Sequence, residues 1–364
     1  MAMDMADMSC SLSNINHLPD EVLTEIFIRL PFRSTAKCKC VCKRWLELIS
    51  SPPFPKQFIS HQHSMFKAFL VFLSPHELML TFLPPNPSFI LPIPTPLSPD
   101  MLIKGYVCGS SNGLFLCCNN RYTTGCGYYV YDPFTKETTH IAPSTETHRE
   151  HLYAVGFVSD PGKSFWVVII KSFIRRVFEF QVEVFFSETG IWKQVDVSFI
   201  DGFAFAPHWM LSLAYEGRLY FMGRTSIFVF DPVSLNSYIL EYPHDADAMN
   251  IMSFGYLGNS CGNLRIADIG RNDLRVWELG PQEWILMHRT HLTAHLPPMF
   301  CANYYKRVGG FHPYDGDIVY LHSYAEGVFA ANLRTNKFHP IPGYHKSDIS
   351  PFQLLLPPPI PQKH

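Results

Sequence analysis

The chain carries almost no net charge. Its 29 Lys and Arg stand against 31 Asp and Glu, a formal balance of −2, and charged residues make up only 16% of it. No field that would hold nucleic acid or an anionic membrane along the whole chain is expected, and neither is expected as a partner. No apolar run is long enough to cross a bilayer as a helix. The first residues, Met1 to Cys10, carry acids and no basic stretch, so a signal peptide is not expected there. An Asn-x-Ser/Thr acceptor is also missing, because Asn86 and Ser88 flank a proline. With those absences, the ten cysteines are expected as reduced thiols in the cytoplasm, the nucleus or both. H-E-x-x-H, the phosphate-binding loop and G-x-G-x-x-G are absent too, which removes the usual signatures of zinc peptidases, nucleoside triphosphatases and dinucleotide enzymes. No cofactor and no metal is expected.

Aromatics are plentiful instead, at 15%, and 30 Phe with 17 Tyr favour β structure over most of the chain. One stretch stands apart. From Leu18 to Phe54 the pattern is helical: Val22, Leu23, Ile26, Phe27 and Leu30 make an apolar stripe behind Pro19, Asp20 and Glu21. Pro31 ends that helix and Ser34 is the expected cap of the next. In that second helix Cys38, Val41, Cys42, Trp45, Leu46 and Ile49 are expected on one face. A unit of about 40 residues rarely holds a core without a staple or a partner.

Leu18-Pro19-Asp20-Glu21-Val22, Glu25-Ile26-Phe27, Arg29-Leu30-Pro31 and Cys40-Val41-Cys42-Lys43-Arg44-Trp45 resemble the F-box family in order and spacing. One position departs, Thr35, where the family has an aliphatic side chain after the serine. The resemblance implies a helical domain over residues 17–62 that docks on a Skp-type adaptor and through it on a cullin. It points to Leu18, Pro19, Val22, Ile26, Leu30, Val41 and Trp45 as adaptor contacts.

Residues 1–16 and 357–364 read as tails. From about residue 66 to 356 short β-like runs repeat. Arg218–Met222, Ile227–Phe230 and Ser237–Leu240 form a triplet that Leu114–Cys117, Tyr128–Tyr131 and Thr138–Ile141 match, each with an Asp-Pro turn after its middle run. Looser copies span Phe165–Trp192, Leu264–Trp284 and Ile318–Phe338. A period of roughly 45–50 residues with four strands per unit is that of a β-propeller blade. Six kelch-like blades are expected. The first would take Phe66–Phe72, Leu78–Phe82 and Phe89–Ile93, and Phe352–Leu356 would close the ring beside them. A β-sandwich of similar strands is the alternative. Gly109–Leu114 with Val130–Pro133 also resembles the kelch-like and F-box-associated domains of plant F-box proteins, which implies a module that captures a protein target.

Gly109-Ser110-Ser111-Asn112-Gly113 matches a nucleophile elbow, but strand sequence follows where a helix is needed, so a β-turn is expected. Cys38, Cys40 and Cys42 alternate between helix faces and cannot converge on zinc. His288, His291 and His295 read as part of a solvated loop between blades, as do His148 and His151. Phe203, Phe205, His208 and Trp209 lie in an aromatic segment before an inner strand and are the target-binding candidates. The competing reading, packing between blades, is the one that the usual burial of such side chains favours.

The expected function is that of a non-catalytic substrate receptor in a Skp–cullin–F-box ubiquitin ligase. An F-box scaffold or transcription partner without ligase role is the alternative, as is a propeller that binds a glycan or small molecule.

Overall fold

A computed structural model gives the chain as two compact units, residues 1–67 and 68–364. It describes residues 15, 18–30, 38–51 and 54 of the first. Of the second it describes most of 106–340 apart from short connections, and the backbone of strands at 69–73, 78–82, 95–96 and 353–355. Apart from Ile15, the two tails read from the sequence lie outside the described residues.

In the first unit, α1 (Asp20–Arg29) starts behind Pro19, whose fixed φ of −58° suits the entry to a helix. Asp20 and Glu21 face the positive end of its dipole and Arg29 the negative end. The helix expected from Ser34 onward is interrupted: Cys38 is helical, and α2 (Lys43–Ser50) starts only after a break. The chain turns at residues 39–41 and Cys42 is extended, with φ −158° and ψ 165°. The face expected to carry Cys38, Val41, Cys42 and Trp45 together is therefore not formed. Leu23, Phe27, Ile28, Trp45, Ile49 and Phe54 make the buried cluster, with Leu18, Ile26, Leu30, Cys38 and Leu48 against it.

The second unit is a meander of four-stranded antiparallel sheets. Strands β1 (Phe69–Leu73), β2 (Leu78–Phe82) and β3 (Thr95–Pro96) come first. Blade I is β4 (Tyr106–Ser111), β5 (Leu114–Cys118), β6 (Tyr128–Tyr131) and β7 (Thr138–His140). Blade II is β8 (Tyr153–Ser159), β9 (Phe165–Lys171), β10 (Val177–Phe186) and β11 (Ile191–Phe203). Blade III is β12 (Ser212–Tyr215), β13 (Arg218–Met222), β14 (Ser226–Phe230) and β15 (Ser237–Glu241). Blade IV is β16 (Tyr256–Ser260), β17 (Asn263–Ile269), β18 (Asp273–Leu279) and β19 (Trp284–His291). Blade V is β20 (Arg307–Phe311), β21 (Ile318–Ser323), β22 (Gly327–Asn332) and β23 (Lys337–Pro340), and β24 (Gln353–Leu355) follows.

Five blades are thus described in full, one fewer than the six expected. The strands assigned to the other blade are described by their backbone ladder, in the order β24-β1-β2-β3, with Leu70 opposite both Thr81 and Leu354. The expected third strand, Phe89–Ile93, lies outside the described residues, and Thr95–Pro96 pairs with β2 instead. The first strands of successive blades, β4, β8, β12, β16 and β20, adjoin one another, so they line the middle of the ring and the fourth strands form its rim.

Packing between blades is apolar and tight. Val168, Ile170, Val182 and Val184 of blade II meet Leu219, Phe221, Phe228 and Phe230 of blade III, all of them nearly or fully buried. Each such side chain contributes roughly 1.5–3 kcal/mol when it leaves water. Gly156 on β8 makes the close approach possible, because a Cβ there would stand 2.6 Å from Leu219 Cδ1 and 2.9 Å from the Phe221 ring.

Candidate functional site

Two surfaces can engage partners. On the helical unit, the seven residues singled out from the sequence divide. Pro19, Val22 and Val41 are exposed, Val22 at 42% and Val41 at 60%. Leu18, Ile26 and Leu30 are half-buried against the core, each with an edge accessible. Trp45 is buried and its ring meets Phe27 edge-on at 4.8 Å. It supports the helices from within. Leu46, expected on the buried side, is an exposed apolar residue of α2. Its misplacement follows from the late start of that helix, since a face assigned from residue 34 loses its phase across the turn at 39–42.

The ring has two unlike faces. The first-to-second connections, at 112–113, 160–164, 216–217, 261–262 and 312–317, leave on the same side as the third-to-fourth ones at 132–137, 187–190, 231–236, 280–283 and 333–336. Those at 216–217 and 261–262 are tight two-residue turns. Asn112, Glu216, Leu235, Cys261 and Asn336 take positive φ in these connections. Asp231 is capped by the N–H groups of Val233 and Ser234, which hold its carboxyl below the usual range despite partial burial. Hydrogen bonds also cross the blade seams there. Ser159 N donates to Ser111 Oγ at 3.0 Å, Tyr215 Oη to the Gly262 carbonyl at 2.9 Å, and Ser260 Oγ to the His312 carbonyl at 2.5 Å. On the opposite face the fourth-to-first connections run over 141–152, 204–211, 242–255 and 292–306. Long connections on a rigid scaffold are where recognition usually resides.

Phe203 and Phe205 belong to that face by position, yet they are 2% and 1% exposed. They stack edge-on at 5.0 Å within a phenylalanine cluster that includes Phe180, Phe199, Phe221 and Phe228. As target contacts they are corrected: the seam between blades II and III takes them as packing. His208 and Trp209 lie outside the described residues. Among the described residues of this region the exposed aromatic is Phe178, at 56%, and Ile200 on the paired strand is exposed at 95%. The signal available for them was Asp201-Gly202 inside an otherwise strand-like run, the mark of a bulge.

The chemical candidates resolve as well. Ser111 ends β4, is buried, and accepts from Ser159, so no nucleophile is presented. His288 and His291 lie on β19 rather than in a loop. His288 Nε2 is 3.1 Å from Asp317 Oδ1 in the next blade, while burial holds its pKa below the ordinary value. His291 Nδ1 is 2.6 Å from Asp273 Oδ1, and with Arg289 it lowers the Asp273 pKa. His295 stacks on Phe338. His148 and His151 lie outside the described residues. Among the described residues no group of three or more His, Cys, Asp or Glu could hold a metal ion, and no helix is long and apolar enough to cross a membrane.

Residues 83–349 match the family described as "F-box protein At3g26010-like, beta-propeller", and residues 15–57 match the F-box domain. The chain belongs to that F-box β-propeller family. Similar proteins bear this out. It is 27% identical to F-box protein At5g07610 of Arabidopsis thaliana, covering 79% of this chain and 74% of that one. It is 28% identical to F-box protein At3g26010 of the same plant, covering 88% and 78%. Putative F-box/kelch-repeat protein At3g17280, also from Arabidopsis thaliana, is 30% identical over a shorter stretch, 42% of this chain and 39% of that one. An F-box domain in general binds a Skp-type adaptor, and an F-box joined to a β-propeller is in general a substrate-recognition arrangement. Neither family description names a catalytic activity.

Proposed function

We propose that this F-box protein is the substrate receptor of a Skp–cullin–F-box ubiquitin ligase, acting in the cytoplasm or nucleus. The observation that carries the reading is the coexistence in one chain of an F-box and a propeller that are separate compact units. The role needs no catalytic group of its own. The F-box docks on the adaptor and the propeller holds a protein target, so that target lysines reside near the charged conjugating enzyme at high effective concentration. Pro19, Val22, Val41 and Leu46, with the accessible edges of Leu18, Ile26 and Leu30, form the adaptor-facing surface, and Trp45 holds it in shape. The ladder β24-β1-β2-β3 is the sixth blade, and the C-terminal strand closes the ring.

Charge placed on the docking surface tests the reading. Val22→Glu with Val41→Glu alters only exposed side chains, so folding is retained. Adaptor captured by the purified full chain should fall about tenfold or more, as expected when central interface residues are lost. In cells the same variant should slow turnover of bound targets. Unchanged turnover alongside lost adaptor binding would favour a scaffold without ligase role. A truncation before Gln353 should lower the cooperativity of propeller unfolding if β24 closes the ring.

A further inference from the structure

The aromatic seam between blades II and III ends on the long-connection face in a structure built to keep apolar groups in water. Strands β10 and β11 pair regularly from Phe186–Ile191 down to Glu179–Ser198 and resume at Val177–Phe203. Between those pairs Phe178 alone opposes Phe199, Ile200, Asp201 and Gly202, a wide bulge. Gly202 has φ +64°, and a Cβ there would come within 2.8 Å of the Val177 carbonyl, 2.9 Å of Arg176 Cγ and 3.2 Å of the Phe178 ring. The stem of Arg176 and the ring of Phe178 thus lie directly over the glycine. Because the ladder closes again beyond the bulge, Ile200 is presented by a fixed hairpin and not by a frayed end.

The seam is fixed to blade III as well. Phe205 bridges Gly223, Arg224 N donates to the Ala204 carbonyl at 2.9 Å, and Tyr242 Oη holds the Gly223 carbonyl at 2.7 Å. That brings Arg224 to the same end of the seam as Arg175 and Arg176, since its N–H binds the residue after Phe203, the partner of Val177. All three are exposed and none makes an ion pair among the described residues. The carboxylate on the bulge is Asp201, while Glu179 alternates to the other face of β10 from Phe178. Among the described residues at this end of the seam, basic charge therefore exceeds acidic charge.

We infer that the Phe178–Ile200 bulge, with Arg175, Arg176 and Arg224 at the same end of the seam, is the docking site for an acidic peptide segment of a protein target that carries a bulky apolar anchor. The site rests on the receptor reading above and specifies its target class. The apolar anchor would extend the buried phenylalanine cluster by one more side chain. The flanking carboxylates would engage guanidinium groups that make no ion pair among the described residues, which favours steering and register more than raw affinity.

The test uses the full chain and three sets of short synthetic peptides. One has Phe or Leu flanked by Asp and Glu, the second has the same centres flanked by Lys and Arg, and the third has Ala flanked by Asp and Glu. The first set alone should bind, and more weakly as salt rises. Arg175→Glu with Arg176→Glu and Arg224→Glu should reduce that binding roughly tenfold or more, and so should Ile200→Asp. Each side chain is exposed, and an unchanged thermal transition in each variant verifies the fold. No binding by any set, equal binding by all, a preference for the basic-flanked set, or unaltered binding by the charge-reversed variant overturns the site. Adaptor capture is read in the same preparations. Its retention with a failed peptide result rejects the seam alone, whereas its loss in the wild-type chain rejects the receptor reading alone.

Discussion

The helical unit and the propeller bury similar side chains with different margins. The former closes over six described buried residues, with one aromatic pair, Phe27 and Trp45, at its centre. The latter spreads its core over several clusters that each span neighbouring blades. A fold of less than about 70–80 residues seldom gains more than about 3–5 kcal/mol from its core. Losing one large side chain there removes the whole margin, and the same loss in the ring removes part of a larger one. Trp45→Ala should therefore abolish the helical unit, at a cost of about 3–5 kcal/mol, and with it adaptor capture. Phe228→Ala, from the centre of the blade II–III seam where Phe180, Phe199, Phe203 and Phe221 all meet its ring, should cost a similar amount. It should lower the propeller transition while adaptor capture survives. Calorimetry on the two variants, read beside adaptor pull-down, would break the comparison if Trp45→Ala left capture intact or Phe228→Ala removed it.

Acid should separate the two units next. His312 and His322 are buried in blade V, and burial holds both pKa values down to about 4. His312 Nδ1 accepts the Asp315 N–H at 2.9 Å, a role that only the neutral ring can fill. Both histidines titrate near 6.5 once unfolded. Above that value folded and unfolded states are alike neutral. Below it the unfolded chain takes up protons that the folded one refuses, so stability is lost as pH falls from about 6.5 towards 4. The loss approaches about 3 kcal/mol per histidine. The described residues of the helical unit include no histidine and add nothing to that slope. Denaturation midpoints at neutral pH and near pH 5 would check it. His312→Asn, which retains an acceptor at the Nδ1 position, should flatten the propeller's slope in part, with His322 and His288 keeping their share.

The same two regions show what can be read from residues alone. The F-box was legible because its determinants are local: Pro19, two acids and a helical stripe lie within one helix, and α1 begins at Asp20. The second helix was misplaced because its start has no chemical mark. Cys42 makes no side-chain cap, and the first turn carries Lys43 and Arg44 where acids would be expected. In the propeller, strands with an unbroken apolar core such as Ser226–Phe230 were placed well. The outer strand β19 reads in part as a loop, since Ile285, Leu286 and Met287 are all exposed and a bulge at Met287, between the Val276–His288 and Trp277–Leu286 pairs, breaks the period of two. The aromatic Phe203 and Phe205 illustrate the limit for the site. Sequence places them on the right face, but only the pairing of Val177 with Phe203 across the bulge turns them inward and leaves Phe178 and Ile200 outside. That pairing joins residues far apart in the chain, and no local pattern encodes it.

The smallest expected effect concerns the misread helix start. Arg44 sits at the wrong end of α2 for a cation, yet it is not idle there. Its Nε donates to Asp20 Oδ1 at 2.8 Å, and Nη2 donates to the Leu18 carbonyl at 2.7 Å. One fork thus ties the starts of both helices together and orients the Leu18-Pro19 entry that the adaptor is proposed to read. Lysine cannot make both bonds, because it offers a point charge in place of a planar fork. Partly exposed pairs of this kind contribute about 0.2–1 kcal/mol and weaken with salt. Arg44→Lys should therefore lower the helical transition by about that much, less at high salt, and leave the propeller transition unmoved. A shift in the propeller transition would mean that the two units unfold together, and the contrast between them would have to be withdrawn.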